Sequence, residues 1–203
     1  MRRENKQQGG GVLPPGYTQL EYIEGTGTQW INTGVKMLPN IETYLKLSYS
    51  SVPSDVYNYG VYFGAPERLA VNYRVRSFVN IDFMTTSYRT GNVQLTTGHK
   101  YEISQTTTQI SITDLTQTAT ASRTIPASTT TGTHNMYLFS LNLNGNALTP
   151  MQFRAERWYA KVGQTYIADL IPALRTQDGK PGLYDIINNV FLTNQGTDEF
   201  LYA

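Results

Sequence analysis

Three groups of residues in this 203-residue chain have the types and spacing to do chemistry. In Tyr57-Asn58-Tyr59 the tyrosines stand two apart, so on a strand Tyr57 and Tyr59 share a face. Phenol rings beside Asn and Arg offer what sugar recognition needs: a flat face for stacking on C–H bonds and a polar rim for hydroxyls. The same rings equally suit packing against a neighbouring strand, in a chain holding 15 tyrosines. In Val71 to Arg76, the residues Asn72, Arg74 and Arg76 share one face. That face suits an acidic sugar or a partner subunit, and also an ordinary solvated strand. The third group is Arg2, Arg3 and Lys6, in a basic, Gln-rich octapeptide followed by Gly9-Gly10-Gly11, a flexible linker. It reads as a docking arm, against the alternative of a disordered tail.

Other chemistries find less support. Glu21-x-x-Glu24 would put its two carboxylates on opposite faces of a strand, useless for paired acid–base work. No Gly-x-Ser-x-Gly elbow occurs, and neither His99 nor His134 has an orienting carboxylate close in sequence. With no cysteine there are neither disulfides nor thiolate metal sites, and two distant histidines make a poor zinc site. Asp55, Asp82 and Asp114 form no recognisable calcium set, so neither metal nor cofactor is expected. Asp169 and Asp185 read as turn or hydrogen-bonding groups. A formal net charge of +1 carries no basic footprint for nucleic acid. No segment has the length and apolarity of a transmembrane helix, and Met1 to Gln8 is not followed by the apolar stretch of a secretory signal.

The elements that position these groups read as strands throughout. Ile41 to Tyr49 alternates, with Ile41, Thr43, Leu45, Leu47 and Tyr49 inward and Glu42, Tyr44, Lys46 and Ser48 outward. Tyr17 to Ile23 and Gln29 to Asn32 flank the turn Gly25-Thr26-Gly27, which is no dinucleotide fingerprint because no helix follows. Lys100 to Ser104 and Gln109 to Thr113 predict a hairpin with Ile103, Ile110 and Ile112 in the core. Thr116 to Thr133, rich in Thr, Ser and Ala, has little to bury and predicts edge strands with a long loop. Asn135 to Asn144 reads as one core strand, with Tyr137, Phe139, Leu141 and Leu143 inward and Leu138, Ser140, Asn142 and Asn144 outward. Ile167 to Ile171 is an apolar run ended by Pro172. Asp178-Gly179 and Pro181-Gly182 are turn dipeptides, and Asn188-Asn189 suits a two-residue hairpin between Leu183–Ile187 and Val190–Thr193.

The two ends of the chain also carry a resemblance. Tyr17-Thr18-Gln19-Leu20-Glu21-Tyr22-Ile23-Glu24, Gly27-Thr28-Gln29-Trp30-Ile31-Asn32-Thr33-Gly34, a central Tyr62-Phe63-Gly64-Ala65, Gly182-Leu183-Tyr184-Asp185 and Phe191-x-Thr193-Asn194-x-Gly196-Thr197 resemble a concanavalin-A-like, laminin-G-like jelly-roll family frequent in gut bacteria and their bacteriophages. The resemblance implies an all-β antiparallel jelly-roll sandwich over residues 17–203, preceded by an N-terminal docking arm and Gly/Pro linker at 1–16. It leaves function open, because this architecture hosts lectins, glycanases, adhesion modules and virion proteins. The Glu-x-Asp-x-Glu run of its glycanases is missing here, so no catalytic residue is expected.

The resulting expectation is a non-enzymatic virion surface protein, a head-fibre, decoration or tail-associated module. It would be made in the host cytoplasm and released by lysis. Its arm would grip a capsid or tail protein, its domain would contact host or mucosal glycans, and it would self-associate, for example as a trimer. Nucleic acid and membrane insertion are not expected. The alternative is a bacterial carbohydrate-binding or adhesion module; a degenerate glycanase ranks third.

Overall fold

The computed structural model describes residues 13–52, 59–65, 69–74, 78–83, 86–91, 93–127, 129, 131–148 and 150–203. All regular structure there is strand: β1 (Tyr17–Gln19), β2 (Ile23–Gly25), β3 (Ile31–Lys36), β4 (Ile41–Ser48), β5 (Tyr59–Ala65), β6 (Leu69–Arg74), β7 (Phe78–Phe83), β8 (Thr86–Arg89), β9 (Lys100–Gln105) and β10 (Gln109–Asp114). The later strands are β11 (Ala119–Thr124), β12 (Asn135–Leu138), β13 (Leu141–Leu143), β14 (Asn146–Leu148), β15 (Phe153–Val162), β16 (Thr165–Arg175), β17 (Lys180–Asp185), β18 (Val190–Thr193) and β19 (Leu201–Tyr202).

The strands form two sheets packed as a jelly-roll sandwich. The larger runs β11-β10-β9-β4-β15-β16-β17-β18, with β1 on β16, β2 on β15 and β19 on β2. The smaller runs β14-β13-β5-β6-β7-β8, with β12 between β3 and β5. Among the described residues, pairing is antiparallel apart from one bridge between Leu141 and Gly64. Ile31, Leu45, Leu47, Tyr101, Ile103, Ile110, Ile112, Phe153, Trp158, Leu170 and Leu183 fill the space between the sheets. β4 alternates as its sequence requires, and β9 and β10 pair as the expected hairpin. β11, exposed along nearly its whole length, is the edge strand that the Thr-rich stretch implied.

A second apolar cluster lies on the opposite side of the large sheet. Ile171, Ala173 and Tyr184 alternate with core residues of β16 and β17, and Leu13, Tyr17, Ile186 and Phe191 cover them. The chain thus enters the domain across the outer face, with Tyr17 against Tyr184 at 4.8 Å and Phe191 at 5.2 Å between ring centroids.

Several local expectations need correction. The stretch 135–144 is two strands, not one: Phe139 has φ 68°, and that left-handed step reverses the alternation. Phe139 and Ser140 are fully buried, Asn142 turns inward and Leu143 outward. Asn142 is tolerated inside because it donates to Asn135 O at 2.8 Å and accepts from Gly145 N at 2.8 Å. Tyr17 to Ile23 is likewise divided between β1 and β2. Pro172 does not end its strand; β16 continues to Arg175, with Pro172 O accepting from Leu20 N at 3.0 Å. Pro181 and Gly182 sit inside β17, opposite Leu174 and Ala173, so only Asp178-Gly179 makes the turn. The β17–β18 connection has four residues, because Asp185 pairs with Val190 and draws the turn over its own carboxylate.

Candidate functional site

Of the sequence-stated binding residues, Tyr59, Asn72 and Arg74 lie on β5 and β6 of the smaller sheet. Tyr59 is paired with Arg74, and Asn72 with Val61 and Asn80, so the backbone brings these three positions together. Tyr57, Arg76, Arg2, Arg3 and Lys6 lie outside the described residues.

A different array stands on the outer face of the large sheet. Because Leu45 and Trp158 point into the core, their neighbours Tyr44 and Tyr159 point out, in register on β4 and β15. Their rings stack at 4.7 Å with 8° between planes, and Tyr166 of β16 meets Tyr159 edge-on at 5.2 Å. All three are half-buried. Tyr44 donates its hydroxyl to Glu102 at 2.5 Å. Burial, and next Glu102, push the Tyr44 hydroxyl far above its ordinary pKa; burial, with Tyr166 after it, raises that of Tyr159. Both rings are therefore neutral phenols at physiological pH.

Charge surrounds this row in matched pairs. Arg157, 5.4 Å from the Tyr159 ring, forks onto the buried Asp169 through Nε at 2.8 Å and Nη2 at 2.6 Å. The Asp169 hydrogen bond raises the Arg157 pKa, so the guanidinium stays charged. Lys46 and Lys100 share Glu156 at 3.3 and 3.1 Å, Lys100 also reaches Glu21 at 3.1 Å, and Lys161 meets Glu42 at 3.0 Å. The two-residue alternation of β4 already put Tyr44 outside; what sequence reading lacked was the register that sets Tyr159 and Tyr166 beside it.

The end motifs are joined to each other as a clasp. Asn194 Oδ1 accepts from Trp30 N at 3.1 Å and Gly196 N at 2.9 Å, and its Nδ2 donates to Asp198 O at 2.6 Å. Gln29 Oε1 accepts from Thr26 N at 2.8 Å, and its Nε2 donates to Glu199 O at 3.1 Å. Trp30 stacks on Tyr137 at 4.1 Å. Beside the clasp opens a polar cleft of about 250 Å³ between Arg175, Lys180, Asn194, Asp198 and Glu199. Arg175 is engaged bidentately by Asp178.

His99 has an orienting carboxylate after all: Asp114, 15 residues on, is brought to its Nδ1 at 2.8 Å by the β9–β10 hairpin. Asp114 also accepts from the amides of Thr116 at 2.8 Å and Gln117 at 3.1 Å, capping the following turn. Burial pushes this carboxyl up, but His99 and the two amides outweigh it and hold the pKa below the ordinary 3.8. A depressed folded pKa means the stabilisation is complete above about pH 4 and is lost as pH falls through the folded value. Asp114→Asn is therefore expected to lose about 1 to 2 kcal/mol at pH 7 and to show a shallower further loss on acidification to about pH 3. Urea unfolding at the two pH values measures this; parallel acid losses in both proteins would remove Asp114 from the account.

Asp169 and Asp185 are, as expected, hydrogen-bonding groups: Asp185 Oδ1 accepts from Asp169 N at 3.2 Å, Ile187 N at 2.9 Å and Asn188 N at 3.2 Å. Among the described residues no group of three or more His, Asp or Glu side chains is arranged to hold a metal ion.

No family model and no curated protein matches the chain. Among solved structures, a protein of Bacteroides ovatus described as carbohydrate-binding aligns with TM-score 0.58 and 10% identity over 92% of this chain and 60% of its own. This chain thus spans about three-fifths of that structure. The LG1-3 region of the laminin α2 chain aligns with TM-score 0.44 and 17% identity over 97% and 37%. Scytalido-glutamic peptidase aligns with TM-score 0.45 and 11% identity over 91% and 100%. At such identities the likeness is one of fold.

Proposed function

We propose that this chain is a non-catalytic carbohydrate-binding jelly roll whose ligand lies on the outer face of the large sheet. The observation that carries this reading is the Tyr44–Tyr159–Tyr166 row bordered by ionised hydrogen-bonding groups. Aromatic faces stack on the apolar side of a sugar ring while polar neighbours take its hydroxyls. The sandwich shared with the Bacteroides ovatus protein supports the same reading. The carboxylates of this face are engaged by Arg, Lys or Tyr partners, which suits fixed hydrogen bonding better than proton transfer.

The setting we propose is the surface of a bacteriophage particle, as a head-fibre, decoration or tail-associated module. The basic arm Met1 to Gly11 and the sequence resemblance support it. In this reading the arm grips a capsid or tail protein, and self-association multiplies weak glycan contacts. Deleting Met1 to Gly11 is expected to leave the thermal melt unchanged and to abolish incorporation into particles, assayed by co-purification. Normal incorporation would overturn the arm's role. A bacterial adhesion module is the second reading, supported equally by the carbohydrate-binding neighbour. Light scattering of the chain mixed with capsid and tail proteins separates the two: capture through the arm favours the virion, and a monomer without such a partner favours adhesion.

A further inference from the structure

The charge arrangement around the tyrosine row narrows the ligand. Every Lys and Arg on β4, β9 and β15 is paired with a carboxylate: Lys46 and Lys100 with Glu156, Arg154 with Glu24, Arg157 with Asp169, and Lys161 with Glu42. Lys100 is held from a second side by Glu21. Glu102, also on β9, takes the Tyr44 hydroxyl instead of a cation.

We propose that the outer face of the large sheet binds uncharged glycans and discriminates against acidic ones. This inference rests on the carbohydrate-binding reading and adds the ligand class to it. A carboxylate or sulfate on the ligand would have to pair with cations whose charge a seated carboxylate already balances. It would do so beside Glu102, Glu156 and Asp169, where like charges repel. The fork of Arg157 onto Asp169 is the hardest to displace, because the partner is buried and would be left unpaired. Neutral hydroxyls face no such exchange. They donate to carboxylate lone pairs and accept from guanidinium or ammonium hydrogens while the existing pairs persist. The rings supply the stacking surface, and no net charge is gained or lost on binding. Affinity should then be nearly independent of ionic strength.

The test uses the full chain against neutral hexasaccharides of glucose, mannose and xylose, and against sialyllactose, oligogalacturonate and a heparin hexasaccharide. Binding is measured calorimetrically at about 50 mM and about 500 mM NaCl, a range over which exposed charge interactions are largely screened. The expected result is binding to at least one neutral probe with less than about twofold change across that range. Tyr159→Ala should weaken it about tenfold or more, the scale of one lost aromatic contact, and Tyr159→Phe should retain it. Thermal melts accompany each variant; should Tyr159→Ala fail to fold, Tyr166→Ala takes its place. Glu156→Gln, which frees Lys46 and leaves Lys100 with Glu21 alone, should add measurable affinity for the acidic probes.

Binding confined to acidic probes, yet lost with Tyr159→Ala, would overturn the neutral class and leave the face as the binding site. Neutral binding indifferent to both tyrosine substitutions would overturn the site itself. Failure to bind any probe would overturn both.

Discussion

Gly196→Ala is expected to cost more than about 4 kcal/mol, a loss reserved for disruption of a named structural feature. A Cβ on Gly196 would stand 2.0 Å from Thr28 O and 3.1 Å from both Thr28 C and Trp30 Cδ1. The first of these is backbone, so no rotamer change relieves it. Relief requires moving the segment 194–199 off the segment 26–30, and that breaks the Asn194 and Gln29 hydrogen bonds joining them. Phe200 follows directly, buried at 4.9 Å from the Phe139 ring, so its seat loosens too. In a domain of this size the melting temperature should fall by about 10 °C or more. Gly91→Ala, whose Cβ would meet Ala121 at an ordinary 3.4 Å, should change it little. A Gly196→Ala melt near that of the unmodified protein would refute the clasp.

Asp185→Ala is expected to be the other severe loss, about 3 kcal/mol, because it strips acceptors from several donors at once. Asp185 is 3% exposed. Its Oδ1 serves the amides of Asp169, Ile187 and Asn188, and its Oδ2 takes Asn188 Nδ2 at 2.7 Å. The Asp169 amide is buried, so water cannot replace the lost acceptor there without cost. Asp185→Asn should lose less than half as much, since its amide oxygen still serves the backbone donors while its NH₂ meets that of Asn188. Chemical denaturation of the three proteins checks the order; equal stability of Asp185→Ala and the parent would mean that the turn closes without this side chain.

Much of the fold was legible in sequence. The two-residue alternation in Ile41 to Tyr49 places Leu45 in the core and Tyr44 outside whatever the partners, because side chains of a strand alternate by covalent geometry. The β9–β10 hairpin was equally readable, since its partners lie close along the chain. Phe139 was not. Nothing in Tyr-Leu-Phe-Ser-Leu signals a left-handed residue; in the assembled core that conformation goes with a Phe139 ring packed against Phe153 at 4.3 Å and Phe200 at 4.9 Å. Pro172 and Pro181-Gly182 misled for a related reason. Local propensity marks them as breakers, but β16, eleven residues long, and β17, six, carry them between neighbouring strands, as a strand can hold a proline where its missing N–H has no ladder partner to lose.

The candidate site divides along the same line. Sequence by itself determined the strand class, the outward direction of Tyr44 and the two end motifs, all properties of residues near one another in the chain. Only the tertiary structure decided that Tyr44, Tyr159 and Tyr166 form one row, that Arg157 is committed to Asp169, and that His99 meets Asp114. It also decided that the end motifs hold each other, with Asn194 reaching across 164 positions to Trp30. These are pairings between strands, and register is set by which hydrophobic faces must meet in the core, information spread over the whole chain.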